Sequence, residues 1–538
     1  MNRSLFAGSV FVLVATSAAL ISSCSDPETT PPPGTSSSSS GGPGGAGGSG
    51  GSGGSGGGSG GSGGSGGGAA SSSSSGSSSS SSGGGSGGGG GSAGICVPGE
   101  TKSCYSADPA TAGVGPCKAG VQTCNANGTA FGACVGEVIP SAEQCANNVD
   151  ENCDGTIDNV LDADGDGWTT CDGDCCDVAS GDCDEPAKVN PGAFEYLGTG
   201  VNDDCNPATL DDAIPAPCST QALATPTSSQ ELIQALDLCN FTIENPPLPQ
   251  KVWGVISSQL LLADGSSNVP PKDVQVGVLN NFGPNVLPQK DATMAAISSG
   301  TARDETDISY VHPQNGSMMG QSGNYSANTE CSAPLDWLTK NGGSLPSPAA
   351  CPACNDPAIC TKAYDSVNLK IRMRVPTNAL SFSYKFKFYT AEFPEFVCQS
   401  YNDFFLALLT SSYQPCPGAM PDDPCVPVDK NIAKDSTGNV VSVNNAFLEV
   451  CFPPPGAPPG SCPGGTLDLI GTGFGGWNGN LADGGGTVWL TNDAPVVPGE
   501  TIELEFIMFD AGDHNVDSLV LLDKFKWNIK PSQAGVHK

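Results

Sequence analysis

Apolar and polar residues alternate along several stretches in the C-terminal part of the chain. Residues 367–375 alternate aliphatic and basic side chains, and residues 382–388 and 501–509 place an aromatic or aliphatic side chain at every second position. A period of two residues puts the apolar side chains on one face of a β-strand. We therefore predict half-buried strands there, and a mainly β fold in which residues 218–538 form a large, jelly-roll-like β-sandwich with long loops.

One segment at the start of this region has a helical signature instead. Ser228 and Glu231 have the spacing of a capping box, and Leu232 and Leu236 follow at helical spacing. The capping box satisfies backbone N–H groups at the first turn of a helix. We therefore predict one short helix directly after Ser228.

The N-terminal residues have the pattern of an exported protein with a lipid anchor. Arg3 precedes an apolar run over residues 5–21, which ends in Ile-Ser-Ser followed by Cys24. This pattern is typical of a lipoprotein signal peptide, residues 1–24, in which Cys24 carries the lipid; the alternatives are an ordinary signal peptide or an uncleaved anchor helix. We predict an outer-membrane lipoprotein that faces the cell surface or the periplasm. Residues 25–94 consist almost entirely of Gly and Ser and predict a disordered tether.

The cysteine content predicts a disulfide-rich protein. The chain has 24 Cys, and 23 remain when Cys24 is set aside, so one thiol is free or has its partner on another chain. Residues 95–142 contain five Cys and few large apolar residues, which predicts a small module held together by disulfides. The CPAC sequence at residues 351–354 could be a redox or zinc motif, but its context favours structural disulfides.

Negative charge is concentrated in residues 143–217. Between residues 143 and 212 there are 19 acidic residues and one basic residue, which is more than half of the chain's net charge of −34. Clustered carboxylates repel one another unless a cation lies among them. Oxygen ligands and the absence of His from this segment favour Ca²⁺ over Cu²⁺. The alternative is a solvated acidic surface.

The spacing of the aspartates predicts where the cation binds. Asp162, Asp164 and Asp166 alternate and are followed by Gly167, which matches positions 1, 3, 5 and 6 of an EF-hand-type loop. Position 12 is Gly173 instead of Glu, so Asp172, Asp174 or Asp177 would have to complete the coordination shell. The same alternation recurs in weaker form on either side. The predicted ligands are Asp150, Asn152, Asp154, Asp158, Asp162, Asp164, Asp166, Asp172, Asp174, Asp177, Asn202 and Asp204.

Two resemblances to known families follow from these motifs. The sequences CANNVDENCDG and DADGDGWTTCDGDCCD resemble the metal-binding repeats of MopE-type bacterial surface proteins, which recur in myxobacterial lipoproteins. The sequences FYTAEFPEFVCQSYNDFFLALL and FDAGDHNVDSLVLLDKFKW resemble the choice-of-anchor L domain of secreted and surface-attached bacterial proteins. The second resemblance implies a β-domain displayed at the cell surface and implies no reaction.

Polar residues at predicted strand ends suggest a second candidate metal site. The side chains of Asn402, Asp403, Asp510, Asp513 and Asp517 would lie in loops at one end of the sandwich. The alternative is that Asp and Asn cap their own turns.

A separate pair of carboxylates leaves an enzymatic function open. Glu392 and Glu395 raise the alternative of a glycan-active hydrolase, because glycosidases use two carboxylates across a sugar. No other motif supports catalysis, and the net charge of −34 argues against nucleic acid as a partner. We therefore expect a non-enzymatic, calcium-stabilised surface lipoprotein with a structural, adhesive or ligand-binding role, its ligand a glycan or a protein.

Overall fold

The structure is a computed structural model, and it describes residues 95–181, 183–209, 211, 216–226, 228–267, 271–315, 330–417, 423–445, 447–453, 456–476 and 483–538. The predicted signal peptide, with Cys24, and the predicted tether lie outside these residues. The described residues all belong to one structural unit, Gly91–Lys538. None of their helices has the length and apolar character needed to cross a membrane.

Strands dominate the described residues, and the helices are short. The helices are α1 (Ser229–Ala235) and α2 (Leu335–Lys340). The strands are β1 (Thr101–Cys104), β2 (Gly120–Thr123), β3 (Gly254–Leu261), β4 (Val276–Leu279), β5 (Met294–Ser298), β6 (Cys331–Ser332), β7 (Lys362–Arg374), β8 (Ser381–Thr390), β9 (Phe404–Thr410), β10 (Val441–Ser442), β11 (Leu448–Cys451), β12 (Gly485–Thr487), β13 (Leu490–Pro495), β14 (Thr501–Asp510), β15 (Ser518–Asn528) and β16 (Gly535–His537).

Two antiparallel sheets form the predicted sandwich. The first sheet has the strand order β10-β9-β14-β7-β3, with β6 paired to β7. The second has the order β11-β12-β8-β15-β5-β4, with β13 paired to β8 and to β16. The three stretches of alternating pattern form β7, β8 and β14, which lie in the interior of the two sheets. The mainly β fold with packed sheets is therefore confirmed.

The main hydrophobic core lies between the two sheets. Its side chains come from β7, β9 and β14 on one side and from β4, β5, β8 and β15 on the other. Phe506 of β14 contacts Tyr384 of β8 edge to face, with ring centroids 4.9 Å apart, and both are fully buried. Burial of aromatic side chains makes a large contribution to stability because each removes a large apolar area from water.

Additional segments cover the outer faces of both sheets. Trp337 of α2 packs edge to face on Phe404 of β9, and Phe282 packs on Tyr389 of β8. As a result, β9 is buried at six consecutive positions and does not alternate between buried and exposed residues. The covering segments explain this departure from the period of two, because a strand covered on both faces is apolar on both faces.

The predicted helix after Ser228 is confirmed. The backbone N–H of Ser228 donates a hydrogen bond to the Glu231 side chain at 3.1 Å, as expected for a capping box. Leu232, Ile233 and Ala235 are buried against the sandwich core. The helix therefore belongs to the sandwich and not to the acidic segment.

Disulfides hold the part of the chain that precedes the sandwich. Strands β1 and β2 form an antiparallel hairpin, and six disulfides connect residues 96–205. The bond between Cys117 and Cys153 joins the two predicted modules across their boundary at residues 142–143. Overlapping disulfides thus link residues 96–171 across the predicted boundary, and the two bonds within residues 175–205 form a separate group.

The remaining described cysteines are also almost all paired. Five disulfides lie in the sandwich, and Cys331 is a free, buried thiol. Within the CPAC sequence, Cys351 pairs with Cys398 and Cys354 pairs with Cys360. The structural interpretation of this motif is confirmed, because both of its cysteines are in disulfides with partners outside the motif.

The acidic segment contacts the sandwich through a short polar junction. The side-chain amide of Asn378 accepts a hydrogen bond from the Phe194 N–H at 3.0 Å and donates one to the Phe194 carbonyl at 2.8 Å. The hydroxyl of Thr377 donates to the Asn190 side chain at 2.6 Å, and the Thr377 N–H donates to the Gly192 carbonyl at 3.0 Å. The junction therefore fixes residues 190–194 on the loop that joins β7 to β8.

Candidate metal centre

The loop from Asp162 to Gly167 folds around its own carboxylates. The Asp162 carboxylate accepts hydrogen bonds from the N–H groups of Gly165 at 2.7 Å and Gly167 at 3.0 Å. The Asp164 carboxylate accepts one from the N–H of Asp166 at 3.1 Å. Gly167 has a φ of 92°, which a residue with a side chain rarely adopts. The glycine at position 6 thus allows the sharp turn that brings the alternating aspartates to one side.

Five carboxylates gather at this loop. One oxygen from each of Asp162, Asp164 and Asp177 lies within 4.8 Å of the other two, and the same holds for Asp164, Asp166 and Asp174. Ca–O distances of about 2.3–2.6 Å place the ligand oxygens of one ion within about 5 Å of one another. Asp174 and Asp177 therefore lie where the missing Glu at position 12 would be needed.

Two oxygens of the gathered carboxylates have no protein partner. The Oδ2 atoms of Asp164 and Asp174 are buried and meet no hydrogen-bond donor among the described residues, and the Asp174 side chain is only 5% exposed. Burial raises the pKa of both carboxyls, and the neighbouring aspartates raise it further. Burial also raises the pKa of Asp166 to about 6. Buried carboxylates without donors are costly, and a bound cation would remove that cost.

Asp166 connects the gathered carboxylates to the junction with the sandwich. Its two oxygens accept hydrogen bonds from the Trp168 N–H at 2.8 Å and from the Asn190 side-chain amide at 2.6 Å. Asn190 is fully buried, and its other amide atom accepts the hydrogen bond from Thr377. The position of one candidate ligand is therefore set by a contact that reaches the sandwich.

One predicted ligand of this region, Asp172, does not join the gathered carboxylates. The Asp172 carboxylate accepts a hydrogen bond from the Thr169 hydroxyl at 2.7 Å, within the short 3₁₀ helix Thr170–Asp172 and its cap. Asp172 belongs to neither group of convergent carboxylates. The sequence offered Asp172, Asp174 and Asp177 for the same role, and the structure brings together the latter two.

The loop that begins at Asp150 has backbone hydrogen bonds similar to those of the Asp162 loop, but its carboxylates do not converge. Asp150 accepts from the N–H groups of Asp154 at 3.2 Å and Gly155 at 3.0 Å. The Asp154 carboxylate is held by Thr156 and Asn159, and Asn152 accepts from the N–H of Asp154. In the described part of the chain, no three carboxylates of this loop come within 4.8 Å of one another.

Residues 143–158 and 195–211 form a structural repeat. Cys153 and Cys205 are 52 residues apart, and both have positive φ, 57° and 54°. Asp158 and Asp211 occupy matching places, since each carboxylate accepts hydrogen bonds from the N–H groups of two consecutive residues, which are Asn147 and Asn148 in the first case and Gly198 and Thr199 in the second. The weak sequence repeat therefore corresponds to a real repeat of local structure.

The second repeat contains the predicted ligands Asn202 and Asp204. The Asp204 carboxylate accepts hydrogen bonds from the Asn206 N–H at 3.0 Å and from the Thr209 hydroxyl at 2.7 Å. The Oδ1 atom of Asn202 is buried and has no hydrogen-bond partner among the described residues. Neither residue belongs to a convergent carboxylate group, so the strongest geometry for a metal stays with residues 162–177.

A second acidic cluster lies between the two sheets, at one end of the sandwich. Asp403 precedes β9, Asp510 ends β14 and Asp517 precedes β15, and none of the three side chains is more than 1% exposed. The start of β9 pairs with the end of β14, while the start of β15 pairs with the ends of β5 and β8. Both sheets therefore deliver carboxylates to the same end.

The two other predicted residues of this site bond backbone N–H groups. Asp513 accepts a hydrogen bond from the N–H of Asn515 at 2.8 Å and so caps its own turn. Asn402 accepts one from the N–H of Asn444 at 3.1 Å and so joins two loops that are distant in sequence. The predicted set thus consists of three buried carboxylates, one turn cap and one residue that links two loops.

Two more buried carboxylates join the cluster and were not expected there. Asp365 of β7 is 1% exposed, and Glu392, which follows β8, is 2% exposed. The charge of Asp403 acts on Glu392, and the charge of Asp365 acts on Asp510. Asp365 lies near the start of β7, before the alternating part of that strand, and no pattern in the sequence marked it.

The carboxylates of the cluster differ in how many hydrogen bonds they receive from the protein. Asp403 accepts hydrogen bonds from the Ser518 hydroxyl at 2.6 Å and from the Ala511 N–H at 3.1 Å, and Asp365 contacts the His514 ring at 2.9 Å. Neither oxygen of Asp510 makes a hydrogen bond of normal length in the described part of the chain, although the Ser299 hydroxyl lies near it. Burial, followed by the charge of Asp403, raises the pKa of Asp510 well above its ordinary value.

Residues 354–527 match the family model of the choice-of-anchor L domain. All five buried carboxylates lie inside this match. Strands β3, β4 and β5 and helix α1 lie before it, although they complete the sheets and the core of the same sandwich. No curated protein and no solved structure matches the chain. The resemblance of residues 143–212 to MopE-type repeats stays a prediction.

The two glutamates of the hydrolase alternative lie in different environments of the region that matches the choice-of-anchor L model. Glu392 is buried in the acidic cluster, whereas Glu395 is exposed on the following turn. A glycosidase needs both carboxylates to face the same sugar. This arrangement gives no support to the hydrolase alternative, which stays a prediction.

A cleft of about 510 Å³ opens beside the acidic cluster. Its wall includes Tyr401, Asn402 and Ala511, which are neighbours in sequence of Asp403 and Asp510, and the disulfides of the CPAC sequence form part of its rim. Ligand sites are commonly clefts of this size lined by apolar residues and a few polar groups. The loops that carry the buried carboxylates therefore also shape this cleft.

Proposed function

We propose that the protein is a non-enzymatic cell-surface protein in which a calcium-binding, disulfide-linked segment is joined to a choice-of-anchor L sandwich. Its role is structural, adhesive or ligand-binding, with a glycan or a protein as the partner. The observation that carries the proposal is the convergence of five aspartates in residues 162–177, two of which bury an oxygen without a protein donor.

The chemistry of this site favours Ca²⁺. Its ligands are hard carboxylate oxygens, and residues 143–217 contain no His that would favour Cu²⁺. The alternating aspartates and the glycine with positive φ reproduce the first half of an EF-hand-type loop. Asp174 and Asp177 supply the negative charge that the missing Glu would have given.

The location at the cell surface rests on two supports. The matched family is described by its anchoring, and the N-terminal sequence has the signature of a lipoprotein with Cys24 as the lipidated residue. A Gly/Ser tether of about 70 residues has a mean reach of roughly 45–50 Å, which would hold the folded part away from an outer membrane. The same display makes the protein available to a partner outside the cell.

Calcium at extracellular concentrations would stabilise the segment. Extracellular Ca²⁺ modules typically bind with a Kd of about 10⁻⁴–10⁻³ M, so millimolar Ca²⁺ occupies them. Binding only to the folded state adds about 2.7 kcal/mol at a hundred times Kd. Metal and disulfides would then together replace the hydrophobic core that this segment lacks.

Titration calorimetry of the full chain with Ca²⁺, Mg²⁺ and Cu²⁺ tests the proposal. We expect Ca²⁺ to bind and to raise the melting temperature, and the double variant Asp164→Asn, Asp174→Asn to weaken that binding at least tenfold. Asp184→Asn is the matched control, because Asp184 is exposed in the same segment and outside the convergent groups. Unchanged Ca²⁺ binding in the double variant, or much tighter binding of Cu²⁺ than of Ca²⁺, would contradict the proposal.

A further inference from the structure

The two sheets of the sandwich bring five buried carboxylates together at one end. Asp365 and Asp510 come from β7 and β14 of one sheet, Asp403 precedes β9 of that sheet, and Glu392 and Asp517 flank β8 and β15 of the other. Each is at most 2% exposed. We propose that this end of the choice-of-anchor L domain holds a second hard cation, of the Ca²⁺ class, between the two sheets.

The charge balance of the cluster is the first argument. An ionised carboxylate in an apolar interior is strongly unfavourable unless it is paired, hydrogen-bonded or bound to a metal. Among the described residues, the basic side chain that contacts the cluster is His514, which bonds Asp365 and is partly exposed. Five buried acidic groups therefore require neutralisation from another source, either protons or a cation.

The state of Asp510 favours the cation. Neither of its oxygens makes a hydrogen bond of normal length in the described part of the chain, although Ser299 and Asp403 lie near it. A proton shared by Asp510 and Asp403 would neutralise one charge and leave the other carboxylates of the cluster to be neutralised separately. A divalent ion satisfies both oxygens at once and uses the charge of the neighbours. Asp510 is thus the residue on which the proposed site is centred.

The carboxylates of the proposed site lie farther apart than those of the loop site, which is the candidate metal site in residues 162–177. Among the described residues, three carboxylates come within 4.8 Å of one another only in residues 162–177. A cation entering the sandwich cluster would replace repulsion between carboxylates by attraction and draw them together. We therefore expect binding to order the loops that carry Asp403 and Asp510, and with them the wall of the adjacent cleft.

The inference goes beyond the proposed function, because it concerns a different part of the molecule and does not need the loop site to bind. The test uses the full chain with the loop site disabled by Asp164→Asn, Asp174→Asn. Ca²⁺ bound per chain is measured by equilibrium dialysis, and the melting temperature is measured with Ca²⁺ and with EDTA. We expect this background to keep one Ca²⁺ and to melt at a higher temperature when Ca²⁺ is present.

Adding Asp510→Asn to that background gives the decisive comparison. This substitution keeps the side-chain volume and removes one buried charge, so the melting temperature in EDTA should stay the same or rise. The remaining Ca²⁺ and the increase in melting temperature with Ca²⁺ should both be lost. Asp264→Asn, in an exposed turn of the sandwich, is the control and should change neither result.

Two outcomes would overturn the inference. If the background with the loop site disabled binds no Ca²⁺, the sandwich cluster is neutralised by protons. If Asp510→Asn lowers the melting temperature equally in Ca²⁺ and in EDTA, its role is only structural. Neither outcome affects the proposed function, which fails if the loop substitutions leave the number of bound Ca²⁺ unchanged. Should Asp510→Asn not fold, Asp517→Asn in the same background makes the same comparison, because Asp517 belongs to the same cluster.

Discussion

The segment before the sandwich and the sandwich itself are stabilised in different ways. In the described residues before Cys218, the only apolar residues other than Cys that are buried are Trp168, Val189 and Ala193. The same part has six disulfides and a dense set of hydrogen bonds from carboxylates to backbone N–H groups. The sandwich instead buries a continuous apolar core between its sheets, and its disulfides lie mostly in loops.

The comparison explains why acidic residues have different roles in the two parts. In residues 143–217 the carboxylates organise the backbone directly, because no core does so. In the sandwich the backbone is organised by sheets, and we propose that the carboxylates buried at one end serve a metal site instead. A small segment with little apolar surface needs covalent or metal cross-links to fold, whereas a large sandwich does not.

Of the changes that we predict, reduction of the disulfides should have the largest effect. It should destabilise the segment before the sandwich more than the sandwich itself. Five of the six disulfides in the segment before the sandwich connect cysteines 26–36 residues apart. Loops of this length contribute about 3–4 kcal/mol each in the chain-entropy model, so losing several exceeds the stability of a typical domain. We expect hydrogen exchange after mild reduction to show loss of protection in residues 95–205 and retention in β7, β8, β14 and β15. Loss of protection first in these strands would reverse the comparison.

A substitution in the hydrophobic core should weaken the sandwich and leave the acidic segment intact. Phe506 is fully buried between the sheets against Tyr384 and Phe405, so Phe506→Ala should cost about 3–5 kcal/mol. The free energy of unfolding of the sandwich is measured by urea denaturation followed by hydrogen exchange. Leu335→Ala is the control, because Leu335 is 71% exposed. A matching loss of Ca²⁺ affinity in residues 162–177 would mean that the two parts do not fold independently.

The sequence allowed the sandwich to be predicted because its pattern is local. The period of two in β7, β8 and β14 depends only on neighbours in the chain, and the capping box at Ser228 lies within four residues. Strand β9 was harder, since its six consecutive buried positions depend on α2 and on other distant covering segments. Disulfide pairing and strand order depend on contacts far apart in sequence and could not be derived.

The two candidate metal sites also differ in how far the sequence could predict them. The alternating aspartates and Gly167 lie within six residues, so the spacing was sufficient to predict the first half of the loop. The sequence narrowed the remaining ligands to three residues, and the fold brings Asp174 and Asp177 to the loop. Asp365 and Glu392 joined the second cluster only through the pairing of distant strands. A local pattern can indicate a metal loop, but a site between two sheets requires the topology.

The smallest expected effect concerns the junction between the two parts. Asn378 is 5% exposed and makes two hydrogen bonds with the backbone of Phe194, while Thr377 holds Asn190, whose amide contacts Asp166. Losing two such bonds costs about 1–3 kcal/mol, because the Phe194 backbone groups are left without these partners.

Asn378→Ala should therefore loosen the junction without unfolding either part. We expect hydrogen exchange to rise in residues 189–194, the melting temperature of the sandwich to change little, and Ca²⁺ affinity at residues 162–177 to fall by a factor of about two to ten, since Asn190 would hold Asp166 less firmly. Asn355→Ala, at an exposed position of the sandwich, serves as the control. If exchange rises at the junction but Ca²⁺ affinity is unchanged, the junction only attaches the segment. If affinity falls as well, the junction transmits the geometry of the sandwich to the metal loop, and the two parts are mechanically distinct but energetically linked.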